Sequence, residues 1–403
     1  MDRISLTDEV MIVGAGPSGL SLAMALIRKG IKVAVFESAP SLPTTIRAST
    51  FHAKTLEMLD EWGVAEDVIA SGHVVEKLQY WERASKTLVA EFEYSRIKQD
   101  TRFPFRLQCP QHIYTKTVLP LIEASPLGTV RMDSKLLDFS QDGDGVLARF
   151  RSSTGDFSVK GPLLCGADGA NSQVRQHMGI EFPGMTYEDR FLLLGTELDL
   201  REYFPGIGAA NYMFDPKEWV IVLHLDGLVR IVFRVGPDES LDHALSDGHV
   251  SEKLSGFLGE DRLDAVKTRS IYRVHQRVAE TFRQGRVCLL GDAAHINNPT
   301  AGMGMNSGIH DAHVLASAIS SYLEGGAEGD LDQYAESRRD YALASVRSYT
   351  DAQYKAMAAS DPTVRLARNT ELADIAKDPE RCRNYLLRAS MLEERIPREE
   401  HHR

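Results

Sequence analysis

The glycine-rich segment GAGPSG at residues 14–19 constrains the fold more than any other part of the chain, because apolar runs lie directly on both sides of it. Residues 9–13 have the length and composition of a short buried strand, and residues 20–29 carry apolar side chains at helical spacing. Residues 32–36 are a second β-rich run. This order predicts one strand–helix–strand unit of a parallel sheet.

The same unit has the features of a dinucleotide-binding motif. In a strand–GxGxxG–helix segment, Gly14 permits the tight turn, Gly16 lets a pyrophosphate approach the backbone, and Gly19 lets the helix pack on the strand. The helix start offers N–H groups and the positive end of a dipole to phosphates. Glu37 ends the second strand, where an acidic side chain accepts hydrogen bonds from a ribose. The residues assigned to this site are Gly14, Gly16, Pro17, Ser18, Gly19 and Glu37.

The chain contains no second strand–GxGxxG–helix segment. An enzyme with separate lasting sites for a flavin and a nicotinamide cofactor usually has two, so we expect one resident dinucleotide. A plain NAD dehydrogenase is the alternative, and it would purify as a colourless protein.

Composition and charge exclude several classes of protein. The chain has 403 residues, 43% of them hydrophobic, enough for two domains or one large α/β domain with an inserted module. Its net charge of −11 argues against a nucleic-acid partner, since phosphate binding requires a basic face. No apolar run reaches the ~20 residues that span a bilayer, and the N-terminus lacks the order of a signal peptide. Four cysteines without a CxxC pair suit a reducing cytosol. We therefore expect a cytoplasmic protein without a membrane partner.

A second glycine-rich motif, GDAAH at residues 291–295, follows a strand-like run at residues 286–290. Asp292 lies where ligands bind at the carboxyl ends of parallel strands, and its carboxylate could hold a polyol hydroxyl. The loop at residues 299–308 is rich in glycine and leads into a helix predicted over residues 305–323. Such a backbone can lie flat against a planar ring while the helix start stabilises an anion. The alternative is a glycine-rich helix cap.

A third motif, CGADGANS at residues 165–172, is closed by Val174 and Arg175. By itself it is typical of a turn and the start of a helix, with Asp168 or Ser172 as the cap.

The three motifs, in this order, resemble those of the class A flavoprotein aromatic monooxygenases, which have the para-hydroxybenzoate hydroxylase fold. Arg47 in IRAST and Gln111 before a helix are similar to that family's flavin-contacting arginine and glutamine. Residues 182–190, 215–219 and 272–287 most resemble the single-component phenol hydroxylases, the para-nitrophenol monooxygenases among them. The resemblance extends over nearly the whole chain. It implies an α/β fold in which an FAD-binding Rossmann-like domain is interleaved with a β-sheet substrate domain and followed by C-terminal helices.

The resemblance also implies the cofactors and their ligands. FAD would be bound, NAD(P)H would reduce it transiently, and O₂ would then give a flavin hydroperoxide that hydroxylates an electron-rich ring. Arg47 and Gln111 would lie along the pyrophosphate and ribityl chain, the Leu136 backbone near the adenine, and Asp292 on the ribityl. Asp168, with Gly169, belongs to a motif linked to both FAD and NAD(P)H. The residues that would line the isoalloxazine are Pro299, Gly302, Met303, Gly304, Met305 and Asn306.

This sequence departs from the family pattern in two places beside the flavin. Asn297 and Asn298 precede Pro299 where many relatives have a Pro-Pro pair, and Ala301 stands where relatives often have glycine. Both departures could change the mobility of the flavin without removing its site.

The expected division of the chain is discontinuous, because no flexible linker interrupts it. Helices are predicted over residues 47–69 and 111–124 and beyond residue 325, and strands over 75–92 and on both sides of a turn at 142–145. The expected units are an FAD-binding domain (1–75, 105–184 and 280–330), a substrate-binding β domain (76–104 and 185–279) and a C-terminal helical segment (331–403).

Residues 218–235 form a predicted hairpin in which Asp226-Gly227 is typical of a type I′ turn. In that register His224 is opposite Val229, on an apolar face. It is either a core histidine or a base that accepts a phenol proton. Tyr212, Trp219 and Tyr272 could pack or line the pocket, and His275 and Arg277 could contact substrate or hold the domain junction. The candidate catalytic residues are His224, Tyr212, Tyr272 and His275.

His310 and His313 share a helix face near Asp311, which makes a metal site conceivable. No further ligand has a suitable spacing, so a polar helix face is favoured and no metal is predicted.

These observations favour an FAD-dependent hydroxylase of a small phenolic substrate, acting as a monomer or homodimer. If a ring substituent is lost on hydroxylation, the product would be a quinone. The alternatives are an N-hydroxylase or tailoring oxygenase of the same fold, and a non-catalytic flavin-binding protein. A flavin-dependent halogenase is disfavoured, since Trp62, Trp81 and Trp219 form no WxWxIP motif.

Overall fold

The computed structural model describes residues 4–44, 48–215, 218–359 and 361–396. Strands and helices alternate through most of this length, and helices alone follow residue 303. The strands are β1 (Ile4–Leu6), β2 (Val10–Val13), β3 (Val33–Phe36), β4 (Thr50–Phe51), β5 (His73–Val75), β6 (Lys77–Glu82), β7 (Thr87–Glu93), β8 (Arg106–Gln108), β9 (Gly128–Arg131), β10 (Lys135–Asp142), β11 (Gly145–Ser152), β12 (Gly155–Gly161), β13 (Leu164–Gly166), β14 (Gly184–Thr196), β15 (Ala210–Phe214), β16 (Val220–Leu225), β17 (Leu228–Val235), β18 (Val266–Val278), β19 (Arg283–Gln284), β20 (Val287–Leu289) and β21 (His295–Ile296).

The helices in the described ranges are α1 (Pro17–Arg28), α2 (Ala53–Glu61), α3 (Ala65–Ala70), α4 (Gln111–Glu123), α5 (Gln173–His177), α6 (Leu241–Ala244), α7 (Asp247–Leu258), α8 (Gly304–Leu323), α9 (Gly329–Tyr341), α10 (Arg347–Ala358), α11 (Pro362–Lys377) and α12 (Pro379–Ala389). None of them combines the length and the hydropathy that crossing a bilayer requires.

A six-stranded sheet in the order β19-β20-β13-β2-β3-β9 forms the first half of the fold. All its neighbours are parallel except the β19–β20 pair. The buried runs of β2 and β3, joined by α1, confirm the predicted strand–helix–strand unit. Because β2 and β13 are neighbours, the GAGPSG turn and the CGADG motif leave the sheet at the same edge.

An eight-stranded, mostly antiparallel sheet in the order β21-β18-β14-β17-β16-β15-β6-β7 forms the second half. The chain enters this sheet early, at β6 and β7, and again from β14 to β18. One face packs into the main core and includes Phe191, Tyr212 and Val232. The other packs under α7 and includes Val222 and Ile231. Smaller sheets, β1-β12-β11-β10 and β4-β8-β5, complete the fold, which is the α/β fold that the sequence predicted.

The β16–β17 hairpin has the predicted register, with His224 opposite Val229 and Leu225 opposite Leu228. The predicted type I′ turn is wrong. Gly227 has φ 67°, but Asp226 is not among the residues with positive φ, and a type I′ turn requires positive φ at both central positions. Glycine alone takes the left-handed conformation here, because it has no side chain to clash.

Two other predicted elements differ in detail. The helix expected over 47–69 is two helices, α2 and α3, because Gly63 takes a left-handed φ of 75° between them. The strand expected over 75–92 is the pair β6 and β7, which turns at Lys86. The strands around residues 142–145, the helix α4 and the helices after residue 325 form as predicted.

Candidate active site

Two helix N-termini without side-chain caps form the centre of the site. Helix α1 starts after Gly16 and α8 starts at Gly304, and the N-cap residue of neither helix, Gly16 or Met303, makes a side-chain capping hydrogen bond. Helix starts leave backbone N–H groups without partners, so both ends are positive and can bind an anion. A Cβ at Gly16 or Gly304 would meet no atom within 4 Å. The backbone is therefore open to a bulky anionic ligand at both points.

Close packing brings the three glycine-rich motifs together. Gly14 has φ 106°, and a Cβ there would lie 2.4 Å from the Ala167 oxygen in the CGADG motif. A Cβ at Gly291 or Gly308 would lie 2.3 or 2.2 Å from Ser18 Oγ. Glycine is required at these positions because any side chain would block the contact. The close contacts join the turn before α1, the turn after β20 and the first turns of α8.

Glu37 lies at the end of β3, with its carboxylate turned towards the GAGPSG turn. Oε2 accepts a hydrogen bond from Ala15 N at 2.8 Å, and Oε1 accepts one from Ala39 N at 2.9 Å. Oε1 also accepts a hydrogen bond from Ser38 Oγ at 3.1 Å, so Oε2 is the oxygen that retains a lone pair for a ribose hydroxyl. Ser134 N donates to Glu37 O at 2.7 Å, which brings the start of β10, with its buried Leu136, to the same corner.

Asp168 caps helix α5. Its Oδ2 accepts hydrogen bonds from Gln173 N at 2.7 Å and Val174 N at 3.1 Å, while Ser172 Oγ accepts one from Arg175 N. Burial raises the pKa of Asp168 above its ordinary value. The motif therefore has the capping role that the sequence predicted for Asp168 or Ser172, with both side chains taking part.

Asp292 is exposed in the turn that follows β20, at the carboxyl edge of the sheet. The buried Asp311 holds that turn, since its Oδ2 accepts hydrogen bonds from Gly291 N at 3.0 Å and His295 Nε2 at 2.7 Å. Its Oδ1 accepts one from Arg338 Nε at 2.7 Å. Burial alone would raise the pKa of Asp311, but His295 and Arg338 hold it below its usual range. The cation from α9 thus fixes the loop beside Asp292.

Asn306 fixes the glycine loop before α8. Its amide donates to Thr50 O at 2.8 Å and Gly302 O at 2.7 Å, and its Oδ1 accepts from His52 N at 3.0 Å and Thr55 Oγ1 at 2.6 Å. All of these groups are held around one fully buried side chain. The loop is therefore tied to β4 and to the start of α2.

The remaining predicted flavin contacts lie around this loop. Met303 is buried, Gly302, Gly304 and Met305 are half-buried, and Pro299 is exposed. Asn298 is buried and accepts a hydrogen bond from Thr300 N, and Ala301 is buried as well, so both departures from the family pattern have packing roles.

Gln111 begins α4 and donates its backbone N–H to Ala48 O at 2.8 Å. Arg47 lies outside the described residues.

The face of the large sheet turned towards the glycine loop carries Tyr212, Tyr272 and a buried arginine. Tyr212 OH donates to Thr300 O at 2.7 Å. Arg230 is 5% exposed, and its Nη1 donates to Ser49 Oγ at 3.3 Å. Burial lowers the pKa of Arg230 to about 10. Burial raises the pKa of Tyr272, and the nearby charge of Arg230 lowers it by a smaller amount.

His224 and His275 point to the opposite face. Alternation along β17 and β16 places Arg230 and Leu223 on one side and Val229 and His224 on the other. His224 lines a cavity of about 440 Å³, together with the charged side chains of Asp199 and Arg201. Burial lowers its pKa, assisted by His73 and opposed by Asp199.

His275 is three residues from Tyr272 on β18 and contacts Thr186 Oγ1 at 2.9 Å. The structure therefore brings Tyr212 to the glycine loop, places Tyr272 on the same face of the sheet, and places both histidines on the opposite face.

His52 and Arg230 are site residues that the sequence analysis missed. His52 is 1% exposed, and its Nε2 lies 3.2 Å from Ala301 O. Burial and the charge of Arg106 lower its pKa to about 3, so it is a neutral imidazole beside the glycine loop. Arg230 had a detectable signal, a charged residue inside an apolar strand. His52 had none, because its neighbours come from distant segments.

These surroundings fit the expected FAD. Open glycine backbone lies at two positive helix ends, a carboxylate faces the first turn, and neutral polar groups surround the flat loop.

Comparisons with known proteins support the same assignment. A protein family described as "FAD binding domain" matches residues 7–348. Para-nitrophenol 4-monooxygenase from Pseudomonas sp. (strain WBC-3) is 32% identical over 386 residues, covering 94% of this chain and 94% of that protein. The 6-hydroxy-3-succinoylpyridine 3-monooxygenase HspB from Pseudomonas putida (strain DSM 28022 / S16) is 30% identical over 340 residues, covering 83% of this chain and 85% of that protein. The crystal structure of p-nitrophenol 4-monooxygenase PnpA from Pseudomonas putida DLL-E4 matches with a TM-score of 0.91 and 30% identity, over 96% of this chain and 99% of that one.

Proposed function

We propose that this chain, which belongs to the FAD-binding-domain family of class A flavin monooxygenases, hydroxylates a small phenol bound against Arg230. FAD is its cofactor, and NAD(P)H and O₂ are its co-substrates. Bound FAD, once reduced, activates O₂ for transfer of one oxygen atom to the ring. The position of Arg230 carries the proposal, since a buried guanidinium on the face towards the flavin loop stabilises a phenolate.

The side chains around Arg230 have distinct tasks in this proposal. The guanidinium lowers the pKa of the bound phenol, which makes the ring electron-rich at the time of oxygen transfer. Tyr212 and Tyr272 line the pocket and orient the substrate hydroxyl. Phe191 and Trp219, whose rings lie 5.1 Å apart, extend the aromatic wall that excludes water. His224 and His275 take no part in this account.

The cofactor ligands that we propose are those expected from the sequence. The α1 turn would hold the pyrophosphate, Glu37 the ribose, Asp292 the ribityl chain, and the loop before α8 the ring system. Gln111, Leu136, Asp168 and Arg47 are retained as proposed contacts of the cofactor. We retain the division into an FAD-binding domain (1–75, 105–184 and 280–330), a substrate domain (76–104 and 185–279) and a helical segment (331–403). The protein would act in the cytoplasm, where NAD(P)H is supplied, as a monomer or homodimer.

A hydroxylated pyridine is a second candidate substrate class. The relative HspB is named for a hydroxypyridine substrate and shares 30% identity over 340 residues. A hydroxypyridine can also present an anionic oxygen to Arg230. A substrate panel must therefore contain both ring types.

The absorbance of para-nitrophenol tests the proposal directly, because the phenol and the phenolate differ in colour. We expect the nitrophenol bound to the holoenzyme to titrate at least about one pH unit below the free compound. Arg230→Leu should abolish the shift and Arg230→Lys should retain part of it, while Arg201→Leu, on the opposite face, should leave it unchanged. A bound phenol with an unshifted pKa, or an equal shift in Arg230→Leu, would overturn the proposal.

A further inference from the structure

We propose that Glu239, His243 and His249 bind a divalent cation of the zinc type. One nitrogen from each histidine and one carboxylate oxygen lie within 4.8 Å of one another. The three residues come from the loop after β17, from α6 and from the first turn of α7, on the outer side of the large sheet. The site is separate from the flavin loop and does not depend on the proposed function.

His249 supplies the observation that points to a ligand. Its side chain is 5% exposed, and its Nε2 lies 3.2 Å from Glu239 Oε2. Within the described part of the chain, that buried nitrogen nevertheless has no hydrogen-bond partner. A cation beside both atoms would satisfy the buried nitrogen.

Glu239 is oriented for coordination by its second oxygen. Gly236 N donates to Oε1 at 2.9 Å, which leaves Oε2 facing His249. Arg190 donates to the backbone oxygens of Gly236 and Glu239 and so holds the loop in place. The carboxylate is therefore positioned before any cation arrives.

His243 completes the donor set on the solvent side. It is exposed, and its ring centroid lies 4.8 Å from that of His249. A cation can therefore enter from water and bind last to His243. Lys253, whose positive charge acts on His249, is itself ion-paired with Glu218 and does not fill the site.

Two imidazoles and one carboxylate are a common zinc donor set with a fourth position left for water. The bound ion would join the loop after β17 to α7 and so stabilise the outer layer of the substrate domain. The sequence analysis considered only His310 and His313 and predicted no metal. The spacing here, E-x3-H-x5-H, crosses two helices, so no helical periodicity reveals it.

The test uses the FAD-loaded protein, stripped with a chelator and dialysed against Zn²⁺. We expect one equivalent of bound Zn²⁺ and a rise in Tm that a chelator reverses. His243→Ala should weaken binding at least about tenfold and remove the rise in Tm. Because His243 is exposed, this variant preserves the fold, and Glu239→Gln provides an independent second variant.

Two controls separate this site from other histidines. His177→Ala removes an exposed histidine on α5, and a His401→Ala/His402→Ala variant removes the adjacent pair near the end of the sequence. Both should bind Zn²⁺ like the parent protein. Absence of stoichiometric Zn²⁺, unchanged binding in both His243→Ala and Glu239→Gln, or loss of binding in a control variant would overturn the proposal.

Discussion

Gly14 and Gly16 are two residues apart in the same turn, yet they are glycine for different reasons. Gly14 has positive φ and no room for a side chain, so its constraint comes from the fold itself. Gly16 has φ −73°, which any residue can adopt, and a Cβ there would meet nothing. The second glycine is required only when a ligand approaches the backbone.

Gly16→Ala should therefore separate binding from folding. We expect the free energy of unfolding of the apoprotein to change by no more than about 1 kcal/mol, since alanine is only a somewhat poorer N-cap than glycine. FAD affinity should fall at least about tenfold, because the methyl group occupies the path of the pyrophosphate. Flavin titration of the apoprotein and urea unfolding measure the two effects. Unchanged FAD affinity would contradict the assignment of the turn.

His52 should make stability depend on pH through its lowered pKa. Its pKa is about 3 in the folded protein against 6.5 for an ordinary histidine. Between these values the unfolded chain binds a proton that the folded protein does not, so stability is present above pH 6.5 and is lost as the pH falls. The expected loss is roughly 1.4 kcal/mol per pH unit for this one group.

The comparison of wild type with His52→Gln isolates that contribution from other titrating groups. Urea unfolding between pH 7 and about pH 4.5 should give a shallower slope for the variant. Parallel curves for the two proteins would show that His52 titrates normally in the folded state.

At the scale of the element, alternation in the β16–β17 hairpin sends His224 and Arg230 to opposite faces of one sheet. The hairpin and its register were predictable, because two apolar runs flank Asp-Gly. Which face turns towards the glycine loop could not be predicted, since that depends on packing against β4 and the loop before α8. The sequence likewise shows Asp311 as a polar residue in an apolar helix. Its partners His295 and Arg338 could not be predicted, because tertiary packing alone brings them to it.

The two faces predict different results for two substitutions in the hairpin. Arg230→Leu should lower kcat/KM for a phenol by about 100-fold or more, because the phenolate loses its buried counter-ion. His224→Ala should leave kcat/KM within about twofold of wild type and FAD fully bound. Steady-state NAD(P)H oxidation coupled to product analysis measures both. A large loss of kcat/KM in His224→Ala, together with a wild-type kcat/KM in Arg230→Leu, would show that the substrate binds on the opposite face.

The two halves of the molecule are interleaved, because β6 pairs with β15, which lies far away in the sequence, and β7 extends the same sheet beside β6. The absence of a flexible linker predicted this arrangement, and the three glycine motifs predicted the fold. The pairing order of the strands could not be predicted, because each strand alone is only an apolar run. The domain boundaries stay a prediction.

Because this protein is a flavin monooxygenase that we propose acts on a phenol, we expect the bound phenol to accelerate reduction of its flavin. Anaerobic mixing of the holoenzyme with NADH or NADPH, followed by flavin absorbance, tests it most directly. We expect the flavin to bleach at least about tenfold faster with para-nitrophenol or another phenol of a panel, and not with 4-nitroanisole, which has no ionisable hydroxyl. The assignment as a monooxygenase would be contradicted by a purified protein that binds no FAD. It would also be contradicted if no phenol or hydroxypyridine accelerated reduction of the flavin.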